Sequence, residues 1–392
     1  MRCFVFFRSG ISGGTGTFAI RAAGHLSRAY DRVFYVLEEY NDEANRKSLS
    51  ELGVRLIGHS SVKEEIAEES ELTIMTYTIQ EYAKAASVFK KYKNKIILLY
   101  PLSNSLTGDD YTNNKILNKL SYLFTRPYFK RLYDSKCIIF TGSKFHKKYA
   151  ERFKLESETA RTYLTIPIDV GEFEEERAKS RFETHPRTVV SVLRTDFPLK
   201  GYVFGLIEDM GRLWDEGHDL KLLLIASGDG LQKIKDALNK AGHPENTELV
   251  EGCGYGELKT YIDGCFLNVG HGTSILDASS LGVPSLVAAD MTCSDKTGGA
   301  YRDTKRITLH EGTANLTLYE CIKEIEAYDK SAYLELAKSE YDITREKFSM
   351  DSFCKNLSAI EKELQGKKLR FSDPGYAVKL KADKIIAALH QK

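Results

Sequence analysis

No stretch of this chain approaches the run of about 20 apolar residues that a bilayer-spanning helix needs. The apolar segment in Met1–Phe7 is too short for a secretory leader and has no small-residue cleavage site, so it reads as a first strand. The seven cysteines (Cys3, Cys137, Cys253, Cys265, Cys293, Cys321 and Cys354) never form a C-x-x-C pair. That excludes a zinc ribbon and a disulfide framework, and it places the expected setting in a reducing cytoplasm. Gly-Lys-Ser/Thr is missing, so no glycine loop is a P-loop. A metal-binding Asp-x-Asp is missing from the candidate ligand loops. Internal repeats and low-complexity tracts are absent as well. Net charge is only +1, and no recognition motif for nucleic acid appears.

What is present is an ordinary globular composition, 42% hydrophobic and 28% charged, in 392 residues. That length exceeds one ordinary core and predicts two domains. Short apolar runs at Arg2–Phe7, Arg32–Leu37, Val54–Ile57, Leu72–Thr76, Lys95–Leu99 and Cys137–Thr141 predict strands. Amphipathic stretches at Thr17–Tyr30, Asn41–Leu52, Glu81–Lys91 and Asn113–Tyr133 predict helices between them. Such alternation implies a parallel sheet covered on both faces. Ile168–His185 reads as a linker, after which the alternation restarts. Strands are expected at Thr188–Leu193, Leu220–Ala226, Thr247–Val250, Cys265–Val269 and Ser285–Ala289, with helices at Tyr202–Glu216, Leu231–Ala241 and Tyr255–Asp263. Leu334–Leu364 is helical by pattern, and a polar tail with an amphipathic stretch at Ala377–Leu389 follows.

Charge is unevenly placed. Residues 1–165 hold 26 Lys+Arg against 18 Asp+Glu, and residues 84–154 alone hold 16 against 4. Aromatics (Tyr122, Phe124, Tyr128, Phe129, Tyr133, Phe145, Tyr149) interleave that basic region. It is either a solvated basic face over core aromatics or a docking surface for anionic lipid or a pyrophosphate-linked acceptor.

Four loops carry the candidate chemistry. The most informative is Val269-Gly-His-Gly-Thr-Ser-Ile-Leu-Asp277, a strand end, two glycines and a helix start. Gly270, Gly272, Thr273 and Ser274 expose backbone N–H groups there, which suits a diphosphate, and Asp277, one turn in, suits the two hydroxyls of a ribose. His271 either faces the sugar or is a turn residue with no role. Arg194-Thr-Asp-Phe-Pro-Leu-Lys200 follows a strand, and its two cations fit one diphosphate clamp. Ser227-Gly-Asp-Gly230 reads as a tight turn lining the same crevice through Gly228. At Glu251-Gly-Cys-Gly254 the backbone either reads a base edge or simply turns. In the first half, Arg8–Thr17 is a glycine loop, either facing a ligand with the N–H groups of Gly13 and Gly14 or forming a structural tight turn. Gly14-x-Gly16-x-x-Ala19, with Glu38 22 residues after Gly16, also matches a loose dinucleotide fingerprint, although six residues separate it from the strand.

Taken in order, Arg194…Lys200-Gly, Gly-Asp-Gly, Glu251-Gly and Gly-x-Gly-Thr-Ser-x-x-Asp-Ala-x-x-x-Gly-x-Pro resemble the retaining glycosyltransferases of family 4. Gly13-Gly14, the junction Tyr163–Asp169 and Lys347-Phe-Ser-Met-Asp351 extend the resemblance over most of the chain. It implies the α/β GT-B fold, two Rossmann-like doubly wound domains facing a central cleft. Residues 1–168 would form the acceptor-side domain and 186–345 the nucleotide-sugar domain, with 346–392 as helices crossing back. Arg194 and Lys200 would hold the donor diphosphate and stabilise the leaving nucleotide. Gly13, Gly14, Gly228, Glu251, Gly270, His271, Gly272, Thr273, Ser274 and Asp277 would line the donor site. Asp277 falls where the family's second Glu of E-x7-E meets the ribose. The first Glu aligns with Val269, which cannot hold a sugar hydroxyl. The family's first-domain His has no counterpart in Ile97–Asn104.

The expected activity is sugar transfer, with retention, from a nucleoside-diphosphate sugar, UDP-linked by preference, to an acceptor hydroxyl. No obligatory cofactor or metal is expected. The acceptor would be a glycan or lipid-linked glycan of bacterial surface polysaccharide synthesis, the setting cytoplasmic or peripheral at the inner membrane face, with no nucleic acid partner. A non-catalytic nucleotide-sugar-binding subunit, kept open by Val269, and a GT-B nucleotide-sugar epimerase are the rival readings. Nicotinamide chemistry stands behind both.

Overall fold

The computed structural model describes residues 1–8, 14–37, 47, 49–101, 115–156 and 162–365. They fall into two units, Met1–Pro167 with the segment from Met350 onward, and Ile168–Ser349.

The first unit is built on β1 (Arg2–Arg8), β2 (Arg32–Leu37), β3 (Arg55–Gly58), β4 (Glu71–Thr76) and β5 (Lys95–Leu99). The sheet order is β3-β2-β1-β4-β5 and every pairing is parallel. Near-continuous apolar runs such as Cys3–Phe7 and Val33–Leu37 are buried along their whole length, as strands covered on both faces require. Two apolar clusters, one on each face, complete this unit. The helix Met350–Leu364 closes one of them through Met350, Phe353, Leu357 and Ile360. It is also fastened by charge: the buried Glu361 carboxylate accepts hydrogen bonds from Arg2, Thr73 and, at 2.5 Å, the Tyr30 hydroxyl.

Two expectations need correction here. Cys137–Thr141 is no strand; only Ile138 bridges to Leu99. The run is apolar because it packs in the core, which periodicity alone cannot distinguish from a strand. The helix Ser143–Phe153 was not expected. Its sequence is strongly basic, and Phe145, His146, Tyr149, Ala150 and Phe153 mark its inner side. Those aromatics, with Tyr128, Phe129 and Tyr133, are core, whereas Lys130, Lys147, Lys148 and Lys154 are exposed. Among the described residues, the basic region therefore presents lysine rather than aromatic surface. Phe124, residues 41–46 and 48 of the expected helix Asn41–Leu52, and the stretch Ala377–Leu389 lie outside what is described at side-chain or backbone level.

The second unit is built on β6 (Arg187–Arg194), β7 (Leu220–Ser227), β8 (Thr247–Glu251), β9 (Leu267–Gly270), β10 (Ser285–Asp290), β11 (Lys296–Ala300), β12 (Leu309–His310) and β13 (Leu316–Thr317). The order is β13-β11-β10-β9-β6-β7-β8, with β12 beside β10. β10-β9-β6-β7-β8 are parallel, while β11 and β13 add an antiparallel margin. In chain order the five parallel strands repeat the arrangement of the first unit, 3-2-1-4-5, which is the doubly wound pattern. Here the expected linker is corrected too: Glu175–Glu183 is a helix. Its buried Arg181 bonds the Asp263 carboxylate at 2.7 Å and the carbonyls of Asp263, Leu281 and Gly282 at 2.6, 2.8 and 3.0 Å. The acidic sequence hid one buried arginine and one buried alanine, too few apolar positions to show a helical face. Among the described residues, no helix is long and apolar enough to cross a membrane.

Candidate functional site

The strand order of the second unit reverses direction between β6 and β9. Ligands of open α/β sheets bind outside the carboxyl ends of the strands at such a point. Two of the expected loops lie there, Arg194–Gly201 after β6 and His271–Gly272 after β9.

The loop after β6 is held in place by the backbone and hydroxyl of Thr195. Thr195 N–H donates to the Ser227 carbonyl at 2.8 Å, and Thr195 Oγ1 accepts from the Gly230 amide at 2.8 Å. This ties the ends of β6 and β7 together and sets Gly228 (φ +116°) against Thr195. A Cβ at Gly201, where the helix Tyr202–Asp215 begins, would stand 2.5 Å from the Thr292 carbonyl oxygen. Only glycine lets the loop after β10 pack so closely on the loop after β6.

The two cations of this loop are placed differently. Arg194 is 67% exposed and paired with Asp196 at 2.7 Å. Lys200 is partly buried and donates to the carbonyl of His271. Burial, with Arg194 adding repulsion, pulls the Lys200 ammonium down to about 8, so it is charged at neutral pH with little surplus. An anion arriving at its Nζ would relieve both costs.

The turn after β9 is as the glycine pattern predicts. Gly272 has φ +84°, a conformation that side chains avoid, and the helix Thr273–Ser279 begins directly after it. A Cβ on Gly272 would lie 3.8 Å from Lys200 Nζ, so the turn and the lysine are neighbours. Ser274 is buried, and its Oγ has no hydrogen-bond partner among the described residues. His271 is buried; its Nδ1 donates to the Ala288 carbonyl at 3.3 Å. Desolvation, reinforced by Lys200, pushes this imidazole down to about 4, so it is neutral at pH 7. Its 3.8 Å approach to Asp290 is therefore not an ion pair at that pH.

Lys200, Gly270, His271, Gly272 and Thr273 thus lie together, with Arg194 and Gly228 at the ends of β6 and β7 beside them. Asp277 is 3% exposed, within the buried face of its short helix. Glu251 ends β8, two strands from β6, and pairs with Lys235 at 2.6 Å. Gly14 belongs to the first unit, as the first residue of the helix Gly14–Ala29; Gly13 lies outside the described residues. Val269 is fully buried in β9. Sequence reasoning missed Asp290 and His310, whose Oδ1 and Nδ1 lie 2.7 Å apart next to His271. The polar end of the apolar run Ser285–Ala289 was the signal for Asp290; nothing local marks His310. Among the described residues, no cluster of three or more His, Cys, Asp or Glu side chains is arranged to hold a metal ion.

No family model and no curated protein matches the sequence. Solved structures match the fold. The Anabaena protein HepE, solved in complex with UDP and glucose, aligns over 93% of this chain and all of its own, at 13% identity and a TM-score of 0.62. A glycosyltransferase from Rickettsia africae aligns over 93% and 99%, at 12% identity and a TM-score of 0.64. Sucrose-phosphate synthase from Thermosynechococcus elongatus aligns over the same shares at 12% identity and a TM-score of 0.58. The fold is GT-B, with two Rossmann-like domains.

Proposed function

We propose that the chain is a retaining glycosyltransferase of the family 4 type, which takes a hexose from a nucleoside-diphosphate sugar, UDP-linked by preference, to an acceptor hydroxyl. The observation that carries this reading is Lys200, a half-buried cation against a glycine turn at the switch point of a doubly wound sheet. In the transfer, the bond from the anomeric carbon to the phosphate oxygen breaks as the acceptor oxygen bonds that carbon from the same face. The acceptor's proton passes to the departing phosphate oxygen. Lys200 and Arg194 offset the charge that grows on the diphosphate. The neighbour solved with UDP and glucose supports the choice of donor, and the loop order supports the family.

The acceptor side is assigned to the first unit, with a glycan or lipid-linked glycan as acceptor. Its exposed lysines, among them Lys130, Lys147, Lys148 and Lys154, suit an anionic inner-membrane surface. Binding to vesicles with anionic lipid but not to neutral ones tests that part.

The donor is tested by thermal shift with UDP, GDP, ADP and NAD and their sugar conjugates. A ligand at 100 times its Kd adds about 2.7 kcal/mol of stability, and UDP or a UDP-sugar should produce the shift. No shift with any nucleotide in a folded sample would remove the donor site. One observation favours a second reading, a non-catalytic nucleotide-sugar-binding subunit: Val269 is apolar and fully buried. Donor binding without turnover on any acceptor would decide for it.

A further inference from the structure

β10 outruns its neighbour. Gly270, the last residue of β9, pairs with Val287, and β10 continues through Ala288 and Ala289 to Asp290. The two-residue strand β12 pairs with that overhang, Ala289 with Leu309 and Asp290 with His310. Backbone register thus brings a carboxylate and an imidazole together beyond the end of β9, beside the turn at His271.

The hydrogen bonding of this group is incomplete. His310 Nδ1 lies 2.7 Å from Asp290 Oδ1. An ionised carboxylate only accepts, so Nδ1 carries the proton, on a side chain 63% exposed. On the other side, Asp290 Oδ2 stands 3.8 Å from His271 Nε2, and both side chains are buried. His271 has committed its Nδ1–H to Ala288, and the neutral ring leaves Nε2 an acceptor. Two acceptors on buried side chains therefore stand at a distance too long for a direct bond. A ligand's donor hydrogens placed there would satisfy both.

We propose that Asp290, His310 and His271 form a hydroxyl-reading cluster that grips the sugar of the nucleotide donor. The proposal rests on the donor site argued above and names the part of it that distinguishes a nucleotide sugar from a bare nucleotide. A carboxylate beside the acceptor nitrogen of a neutral imidazole suits a neutral group rich in hydroxyls and repels a phosphate. The cation that suits the phosphate, Lys200, bonds the backbone carbonyl of His271, whose ring borders Asp290. Along that one residue the chemistry changes from anion-binding to hydroxyl-binding, in the order in which diphosphate and sugar are joined.

The test is calorimetry of the full chain with UDP, UDP-glucose, UDP-galactose and UDP-N-acetylglucosamine, for the unaltered protein, H310A and D290N. His310 is exposed, so H310A leaves the fold intact. D290N keeps the acceptor for His310 and replaces the acceptor that faces His271 Nε2 with an amide N–H, which cannot take a ligand's hydroxyl proton. A purely structural role predicts that D290N is harmless. The cluster predicts that one UDP-sugar binds tighter than UDP, and that each variant loses about tenfold of that gain, the scale of a hydrogen bond to a charged group. In H310A, UDP itself should keep its affinity to within about twofold, since that side chain makes no contact with Lys200. Retention of the sugar-dependent gain in both variants overturns the proposal. So does an equal loss for UDP, or an unaltered protein that binds no UDP-sugar better than UDP. Failure of the unaltered protein to bind UDP at all strikes the donor site instead of the cluster.

Discussion

The two units share one strand order and differ in what they place at the ends of corresponding strands. In the first unit the last residue of the first strand is Arg8. Its guanidinium lies over the Tyr77 ring at 5.0 Å and 3.7 Å from the Glu81 carboxylate, and Glu81 also accepts the Tyr77 and Thr78 amides at 2.9 and 3.1 Å. The cation there is absorbed into the unit's own packing. In the second unit the corresponding residue, Arg194, stands exposed, and six residues on Lys200 is half-buried against a backbone carbonyl. Strand order therefore supplies a crevice in both units, and the side chains at its rim make the second the better suited to an anion.

Both units are also stapled by one buried charge, Glu361 in the first and Arg181 in the second, and this gives the largest expected effect. Arg181→Ala leaves the carbonyls of Asp263, Leu281 and Gly282 without their donor and the Asp263 carboxylate with Arg177 in place of two arginines, and should destabilise the second unit by about 3 kcal/mol. Urea unfolding followed separately for the two units checks it; an equal loss in the first unit would contradict the division.

Next comes Lys200→Ala, which should weaken UDP binding by about 2 kcal/mol, some 30-fold, while Arg8→Ala leaves it unchanged. Calorimetry on both variants would break the comparison if Arg8 proved the more damaging. Arg194→Ala should cost less, about 1 kcal/mol, because that guanidinium is solvated and already paired. The smallest effect concerns pH. Lys200 has a folded pKa near 8, below the usual lysine value, so its charge is full at pH 6–7 and declines through pH 8. UDP affinity should therefore fall as pH rises from 7 to 9, and the fall should vanish in the Lys200→Ala protein.

Much of this was legible in the sequence. Buried parallel strands are continuous apolar runs, and Arg32–Leu37, Lys95–Leu99 and the helix Leu231–Ala241 begin and end where the pattern says. The glycine turn at Gly272 was legible because its backbone angle leaves few alternatives. The helix Glu175–Glu183 was not, since its inner face is an arginine bonded to carbonyls that are distant in sequence. Cys137–Thr141 misled because burial, not pairing, made it apolar. Asp290 and His310 are 20 residues apart in the chain, and only the register of β10 with β12 joins them.

The central claim is that a nucleotide binds at the switch point of the second unit's sheet. Hydrogen–deuterium exchange with and without saturating UDP tests it most directly. The account predicts slowed exchange in peptides covering 194–201 and 270–276, with those covering 1–8 and 71–80 unchanged. Protection confined to the first unit, or none anywhere with UDP bound, would contradict it.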